Sequence, residues 1–423
     1  MSRSLSLALA LSAVAASSAL AAPKDDVARI VASPAFKTAT ATLDRDHDRT
    51  VADIITLTEI PAPPFKEEAR AKAYKAMFEA HGLTDVEIDP EGNVMGLRKG
   101  TGGGPVVVVS AHLDTVFPEG TDVKVRREGT KLHAPGVADD THNLAVLLAW
   151  IRALDAAKIS TKSDILFVGT VGEEGAGDLR GVRYFFNQGK YKDRTKAFFS
   201  VDGLSPNGIT HIGVGSKRYR VTFTGPGGHS YGAFGIVNPL AAMGKAIADF
   251  YTVEVPTTPK VTYSASVTGG GTSVNAIPDK VFTEFDMRSA DATELAKLDA
   301  RFKTIMQQAA DHENAARSTA VGKVAVEIKP IGDRPAGQTA KDTPLVQSMT
   351  AAIEALGYKP EYQASSTDSN APMALGIPAI TIGGGGKGGR AHSLDEWIDV
   401  EKEGRAKAMS VGMAAILAVA GVN

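Results

Sequence analysis

The chain has 423 residues, more than one hydrophobic core usually holds, so two domains are expected. Its 43% apolar and 22% charged content is that of a soluble globular enzyme, and a formal net charge of −2 supplies no basic face for nucleic acid. The absence of Cys removes disulfides, thiolate metal ligands and a Cys nucleophile from consideration.

Residues 1–22 have the pattern of a signal peptide. Arg3 is the positive start, Leu5 to Ala16 the apolar stretch, and Ala19-Leu20-Ala21 a small-residue cleavage site. The apolar stretch is short for a bilayer. The expectation is an exported protein, periplasmic or secreted, with no membrane attachment after processing. From Asp25 to Thr58 helix and polar turn alternate, with Asp44-Arg45-Asp46-His47-Asp48 as a solvated charge cluster. Ile60 to Phe65 is a stiff proline-rich turn, Glu67 to His81 a helix stopped by Gly82, and Val86 to Leu97 a hairpin turning at Glu91-Gly92-Asn93.

Val106 to Val109 follows a Gly-rich connector. Four β-branched residues in a row predict a strand buried on both faces. It runs into Ser110-Ala111-His112-Leu113-Asp114, which puts a His and an Asp at the strand's C-terminal end, on one face. Open α/β sheets build their sites at that edge. Leu144 to Ala156 is apolar nearly all round, a buried helix. The strand Ile165 to Thr170 ends in Gly172-Glu173-Glu174, and Ala197 to Val201 ends in Asp202-Gly203. Turns favour Asp but do not call for a Glu-Glu pair, so acids recurring past successive strand ends point to a site.

The pattern changes between about Ser216 and Asp333. Strands at Arg218 to Thr224, Val261 to Thr268, Lys280 to Arg288 and Val324 to Lys329 alternate with helices at Pro239 to Tyr251 and Glu294 to Ala310. The order β-α-β-β-α-β is that of a ferredoxin-like unit. The expected division is a catalytic domain over residues 23–215 and 334–423, with an inserted α+β domain over 216–333. The helix Thr343 to Gly357, the strand Ala379 to Ile382 and the helix Val400 to Ala420 return to the first domain.

His112, Asp139, Glu174, Asp202 and the distant His392 make two imidazoles and three carboxylates, enough for two zinc ions if one carboxylate bridges. Glu173 stands beside a ligand yet is itself free, and could take a proton from a water at the metals. The segments His112-Leu113-Asp114-Thr115-Val116, Gly136-Val137-Ala138-Asp139-Asp140, Gly172-Glu173-Glu174, Asp202-Gly203, Gly227-Gly228-His229-Ser230 and Ala391-His392-Ser393 resemble, in order, the metallopeptidases of the glutamate carboxypeptidase, tripeptide aminopeptidase, aminoacylase and succinyl-diaminopimelate desuccinylase group.

That resemblance implies a zinc-exopeptidase-like three-layer catalytic domain with a ferredoxin-like lid or dimerisation domain. It implies two zinc ions per chain, with Co2+ or Mn2+ as substitutes, and hydrolysis of small peptides or N-acyl amino acids. Asp139 would bridge, His112 and Asp202 hold one zinc, and Glu174 and His392 the other. Asp114 would orient His112, and Glu173 would be the general base. His229 would contact the substrate carbonyl, in this family often from the partner subunit of a homodimer formed through the lid, while Asn275 and Arg288 hold the substrate. A cis peptide after Asp139 is implied too. One departure stands out, since Thr141-His142-Asn143 replaces the usual residue and Lys-Gly-Gly, which makes His142 an additional candidate ligand.

Two other readings compete. Gly228-His229-Ser230-Tyr231-Gly232 fits a serine-hydrolase elbow, with Asp368 and His392 in triad order, but the elbow needs an immediate strand-to-helix turn and the acids would have no task. A non-catalytic zinc-binding protein needs the ligands but not Glu173. Gly383 to Gly389 lacks the Ser or Thr of a phosphate loop and reads as a close backbone approach before His392.

Overall fold

The computed structural model describes residues 23–423, so the expected signal peptide over residues 1–22 lies outside the described residues. Val106–His112 is a strand buried at every position. It pairs in parallel with Asp164–Thr170 on one side and Thr195–Val201 on the other, and Ala379–Ile382 extends the parallel set. Among the described residues the sheet has nine strands; Thr84–Ile88 and Val94–Arg98 form one edge, and Gly208–Gly213, Gly337–Gln338 and Glu361–Ser365 form the other.

Alternation along these strands separates two packing layers. Val107, Val109, Ala111, Phe167 and Phe199 join a cluster built with the helices His142–Ala156, Pro344–Ala355 and Arg405–Ala420. Val106, Val108, Leu166 and Phe198 face the other way, onto Arg180–Gln188 and Asn370–Ala374. Each fully buried valine contributes roughly 1.5–3 kcal/mol of transfer free energy, so the four-valine run anchors both layers at once. The helix His142–Ala156 is buried from His142 through Leu154, as an all-round apolar helix must be.

The inserted unit has its own core. Its sheet runs Val261–Gly270, Lys280–Ser289, Gly215–Thr224, Ala325–Arg334, all antiparallel, which is the ferredoxin-like order. Pro239–Phe250 and Ala292–Ala316 cover one face. Asn238 and Asp291 cap these helices by accepting backbone N–H groups. The Ala292–Ala316 helix is longer than periodicity indicated because its last turns stay amphipathic, burying Ala309, Ala310 and Glu313.

Three features differ from the sequence expectation. The N-terminal region is three helices, Pro23–Ala32, Pro34–Arg45 and His47–Thr58, and His47 is buried rather than solvated. A small sheet joins Arg126–Glu128 and Lys131–His133 to Lys387–Gly389 and Trp397–Asp399. The final helix starts at Arg405 rather than Val400. Among the described residues, no helix is long and apolar enough to cross a membrane.

Phe302 lies in the middle of the inserted core, its ring 4.9 Å from Phe285, 5.1 Å from Phe250 and 5.4 Å from Tyr219. Phe302→Ala should destabilise this unit by about 3–5 kcal/mol. Calorimetry should then show one transition lowered by roughly 10 °C or more, and a shift below about 2 °C would contradict a separate core.

Candidate active site

The parallel strands end on one edge at His112, Thr170, Val201 and Ile382, and the chain leaves each end carrying a polar group. His112 Nε2 is 2.8 Å from Asp139 Oδ1. Its Nδ1 lies 3.0 Å from the Asp114 main-chain carbonyl and 3.6 Å from the Asp114 carboxylate. The ring is therefore oriented by donating to the Asp114 backbone carbonyl, and the carboxylate adds charge. That carboxylate has its own partners: it accepts the backbone N–H of Glu173 at 3.0 Å and of Glu174 at 2.8 Å. Asp114 thus fixes the start of the next strand's loop relative to His112.

His392 arrives from far along the chain. Its Nε2 sits 2.8 Å from Glu174 Oε1 and 3.2 Å from Asp139 Oδ2. Its backbone has φ of 64°, a left-handed conformation unusual outside glycine and of a kind that collects at functional sites. Glu396, four residues on, is fully buried and accepts the backbone N–H groups of Gly136, Ala138 and Asp139 at 3.1, 2.7 and 2.9 Å. One short segment therefore supplies an imidazole and clamps the turn that presents Asp139. The Asp139–Asp140 peptide is cis.

Donor atoms gather in three overlapping groups, each within 4.8 Å: His112 with Asp139, Asp140 and Asp202; His112 with Glu173 and Glu174; and Asp139 with Glu174 and His392. Asp140 is in reach but engaged elsewhere, accepting the His112 backbone N–H at 2.9 Å and the Asn143 amide at 2.5 Å. His142 is buried with its Nδ1 3.1 Å from Arg405, so it stands apart from the cluster and is not an additional ligand. The remaining nitrogen and carboxylate oxygens suit a pair of borderline metal ions, with Asp139 able to face both.

Burial governs the charges here. It pulls the His112 imidazole down, but Asp140, Asp114 and Asp139 outweigh it and hold the ring well above its usual range. Burial and the nearby Asp139 push Asp202 up to about 7. Hydrogen bonds to the Asp139 and Glu174 carboxylates raise His392 to about 10. Glu173 is driven well above the usual carboxylate range by burial, against the pull of Arg334.

Arg334 had no signal in the sequence. It ends the last strand of the inserted unit, is buried, and donates from Nη1 to Glu173 Oε1 at 3.1 Å and from Nη2 to the Glu173 carbonyl. A cavity of about 500 Å3 opens over the cluster, lined by Asp139, Glu173, Glu174, Asp202 and His392 below and by Arg218, Arg288 and Arg334 above. Arg288 thus meets the site in this chain. His229 and Asn275 do not line it: His229 is exposed on the short strand Gly228–His229, and Asn275 is exposed just before its partner strand Ala276–Ile277. His229 Nδ1 accepts the backbone N–H groups of Tyr231 and Gly232, at 3.3 and 3.2 Å, which leaves Nε2 facing outward as the donor.

The serine reading fails on geometry. Ser230 follows a two-residue strand in the inserted unit, Asp368 is buried and bonded to Thr170 Oγ1 at 2.6 Å, and His392 pairs with Glu174.

The family model of peptidase family M20/M25/M40 matches residues 108–418. The chain belongs to this family. Its architecture is that of a catalytic domain with an inserted lid. A protein of Pyrococcus abyssi described as a LysW-lysine/LysW-ornithine hydrolase is 29% identical over 170 residues, 40% of this chain and 44% of that relative, so the match spans less than half of the relative's length. The aminopeptidase PepT of Bacillus cereus ATCC 10987 superposes with a TM-score of 0.71 at 23% identity, covering 89% of this chain and 99% of that one. The YXEP protein of Bacillus subtilis, a dinuclear metal-binding peptidase of the M20 family, gives 0.62 at 20% identity, with 89% and 99% covered. At these identities the superpositions speak for the fold.

The raised groups set a pH dependence. In the metal-free protein, His392 contributes stability that is fully present below pH 6.5 and lost as pH rises through about 10; Asp202 contributes stability present below 3.8 and lost through about 7. Metal needs the neutral imidazole and the ionised carboxylate, so its uptake must displace these protons. Apparent metal affinity should rise between pH 6 and 9, and calorimetry at pH 7 in buffers of different ionisation enthalpy should show net proton release. No proton release at pH 7 would contradict these protonation states.

Proposed function

We propose that the protein is an exported di-zinc hydrolase of amide bonds in small peptides or N-acyl amino acids. The observation that carries this reading is Glu173. It belongs to the donor group with His112 and Glu174, its carboxylate held by Arg334 and its backbone fixed by Asp114, and it is not needed as a ligand. In the proposed arrangement His112, Asp139 and Asp202 would hold one ion, and Asp139, Glu174 and His392 the other. Zinc is preferred for this donor set, with Co2+ or Mn2+ able to substitute.

When bound, the ions would polarise the substrate carbonyl and make water acidic enough to lose a proton near neutral pH. The chain's residues do the rest. Glu173 takes that proton on its carboxylate, which burial has made more basic than an ordinary Glu, and returns it to the leaving nitrogen. Arg334 keeps the carboxylate pointed at the cluster through both transfers. Asp114 holds His112 and the Glu173–Glu174 backbone in one geometry, and Glu396 does the same for Asp139. Export is supported by the leader pattern of residues 1–22.

Chelation should abolish hydrolysis, and zinc should restore it. Glu173→Ala should lose on the order of a hundredfold or more in rate while keeping its metal, whereas Glu174→Ala should lose metal. The opposite pattern of metal content would reverse the two roles, and full activity in metal-free protein would end the proposal.

His229 is proposed to donate from Nε2 to the carbonyl oxygen as it becomes tetrahedral, reaching a partner's site across a dimer formed through the lid. Removal of one such donor costs about 3–4 kcal/mol in the transition state. His229→Ala should keep its metal and fold while kcat falls on the order of a hundredfold or more. Mixed with Glu173→Ala it should form hybrids that recover part of the activity. An unchanged kcat would remove His229 from the reaction, and exchange of subunits without recovery would place it within one chain.

A further inference from the structure

We infer that Arg218 is a specificity-determining residue which, with Arg288, forms a subsite for an acidic side group of the substrate. The amides cleaved best would then carry a carboxylate, as glutamyl and aspartyl compounds do. This rests on the hydrolase reading above and adds the substrate class to it.

The two arginines stand on the face of the inserted sheet that no helix covers. Tyr219, Val221, Phe223, Phe285 and Met287 point into that unit's core, so Arg218, Asp286 and Arg288 point the other way, over the cavity. Arg218 is directly opposite Asp286 in the ladder. Asp286 accepts Arg218 Nε at 3.0 Å on one oxygen and Arg288 Nε at 2.7 Å on the other. A single carboxylate thus holds two guanidinium groups apart and leaves one positive charge uncompensated.

Both of these bonds use Nε, so the Nη edges remain for something else. Among the described residues, Arg218 Nη1 makes one long contact, 3.4 Å to the Gly175 carbonyl, and the Arg288 Nη groups have no partner. Arg334, the other arginine over the cavity, is already committed to Glu173 and to Ser366. The free donor edges are therefore those of Arg218 and Arg288. Paired guanidinium edges suit a carboxylate, and their planar forks favour it over a neutral amide.

The cavity walls point the same way. Beyond the charged groups the lining consists of Thr210, Gln363, Ser365, Ser366, Thr367, Gly175 and Val116. An apolar side group would bury little against such a wall and would leave the guanidinium edges desolvated without a partner, which is unfavourable. A carboxylate satisfies them. One guanidinium suffices for a terminal carboxylate, and the second, held separately by Asp286, is available for a side group.

The test is a matched series of dipeptides and N-acyl amino acids, measured with the zinc-loaded full-length mature enzyme. Glu is exchanged for Gln at each position, and in a separate arm the terminal carboxylate is exchanged for an amide. A charge-assisted pair should give the Glu compound a kcat/KM advantage on the order of tenfold to a hundredfold at one position. Arg218→Met should bring that ratio to within about twofold, with Arg218→Lys between. Arg220→Met removes the same charge two residues along the strand, where Arg220 pairs with Glu284, and should keep the ratio. The wild-type Glu-to-Gln ratio tests the idea without any variant: a ratio near one at every position overturns it. A dependence on Arg218 confined to the terminal carboxylate also overturns it, because the pair would then read the chain end. Absence of hydrolysis of any amide by zinc-loaded enzyme would instead count against the hydrolase reading itself.

Discussion

The site depends on how a crowd of buried carboxylates is kept from repelling itself apart. Asp114, Asp140, Glu396, Glu173, Glu174, Asp139 and Asp202 all lie at one edge of the sheet, several of them fully buried. A buried charge needs donors or a cation, and the acids divide by which they receive. Asp114 accepts two backbone N–H groups, Glu396 three, and Asp140 one together with an amide. These three are satisfied by the fold and serve as struts. Among the described residues, Asp139, Glu174 and Asp202 have no such backbone donors and face the two imidazoles or one another, which is how carboxylates that hold cations are placed. Among these three, burial and the neighbouring Asp139 push Asp202 up to about 7. Separating strut acids from facing acids identifies candidate ligands by physical criteria that sequence order alone does not supply.

The inserted unit is tied to that same edge. Its first and last strands both reach the loop that carries Glu173 and Glu174. Arg218 contacts the Gly175 carbonyl, Arg334 grips Glu173, and the Asp178 carboxylate accepts the Asp333 backbone N–H at 2.9 Å. Asp178 and Leu179 adopt left-handed conformations there, with φ of 52° and 62°, which turns the loop sharply toward the strand ends. Any movement of the inserted unit therefore acts on Glu173 directly. The Glu173 carboxylate is positioned by two domains at once, by Asp114 through its backbone and by Arg334 through its side chain.

Much of this was legible in the sequence because it is written in local pattern. Four valines in a row can hardly be anything but a strand covered on both faces, and the β-α-β-β-α-β order follows from alternating periods of two and 3.6. Acids placed after Thr170 and Val201 announced the edge. Other parts depend on long-range pairing that no short window contains. Lys131–His133 becomes a strand because Trp397–Asp399 arrives from more than two hundred residues away. Gly208–Gly213 and Glu361–Ser365, toward one side of the sheet, are too short and too mixed to show a period. Arg334 and Glu396 look like ordinary surface charges until the fold buries them, and His47 looked solvated because its neighbours in sequence are charged, although its own face of the helix packs inward. Single charged residues are read poorly from sequence because their role is set by partners, and partners are tertiary.

Thr141-His142-Asn143 ties the turn that presents Asp139 to its neighbours. Asn143 donates both to the Asp140 carboxylate and to the Gly203 carbonyl at 3.0 Å, joining the strut beneath His112 to the segment that carries Asp202. Thr141 donates to the Gly136 carbonyl at 2.7 Å and so closes the turn that Glu396 clamps from outside. His142 packs against Arg405, away from the ligands. The larger asparagine leaves space for glycine alone across from it, because a Cβ at Gly384 would come within 2.1 Å of Asn143 Oδ1. Asn143 and the Gly-rich stretch before His392 are thus two sides of one fit, which lets the backbone leading to His392 pass close over the helix that begins beside Asp139 and Asp140.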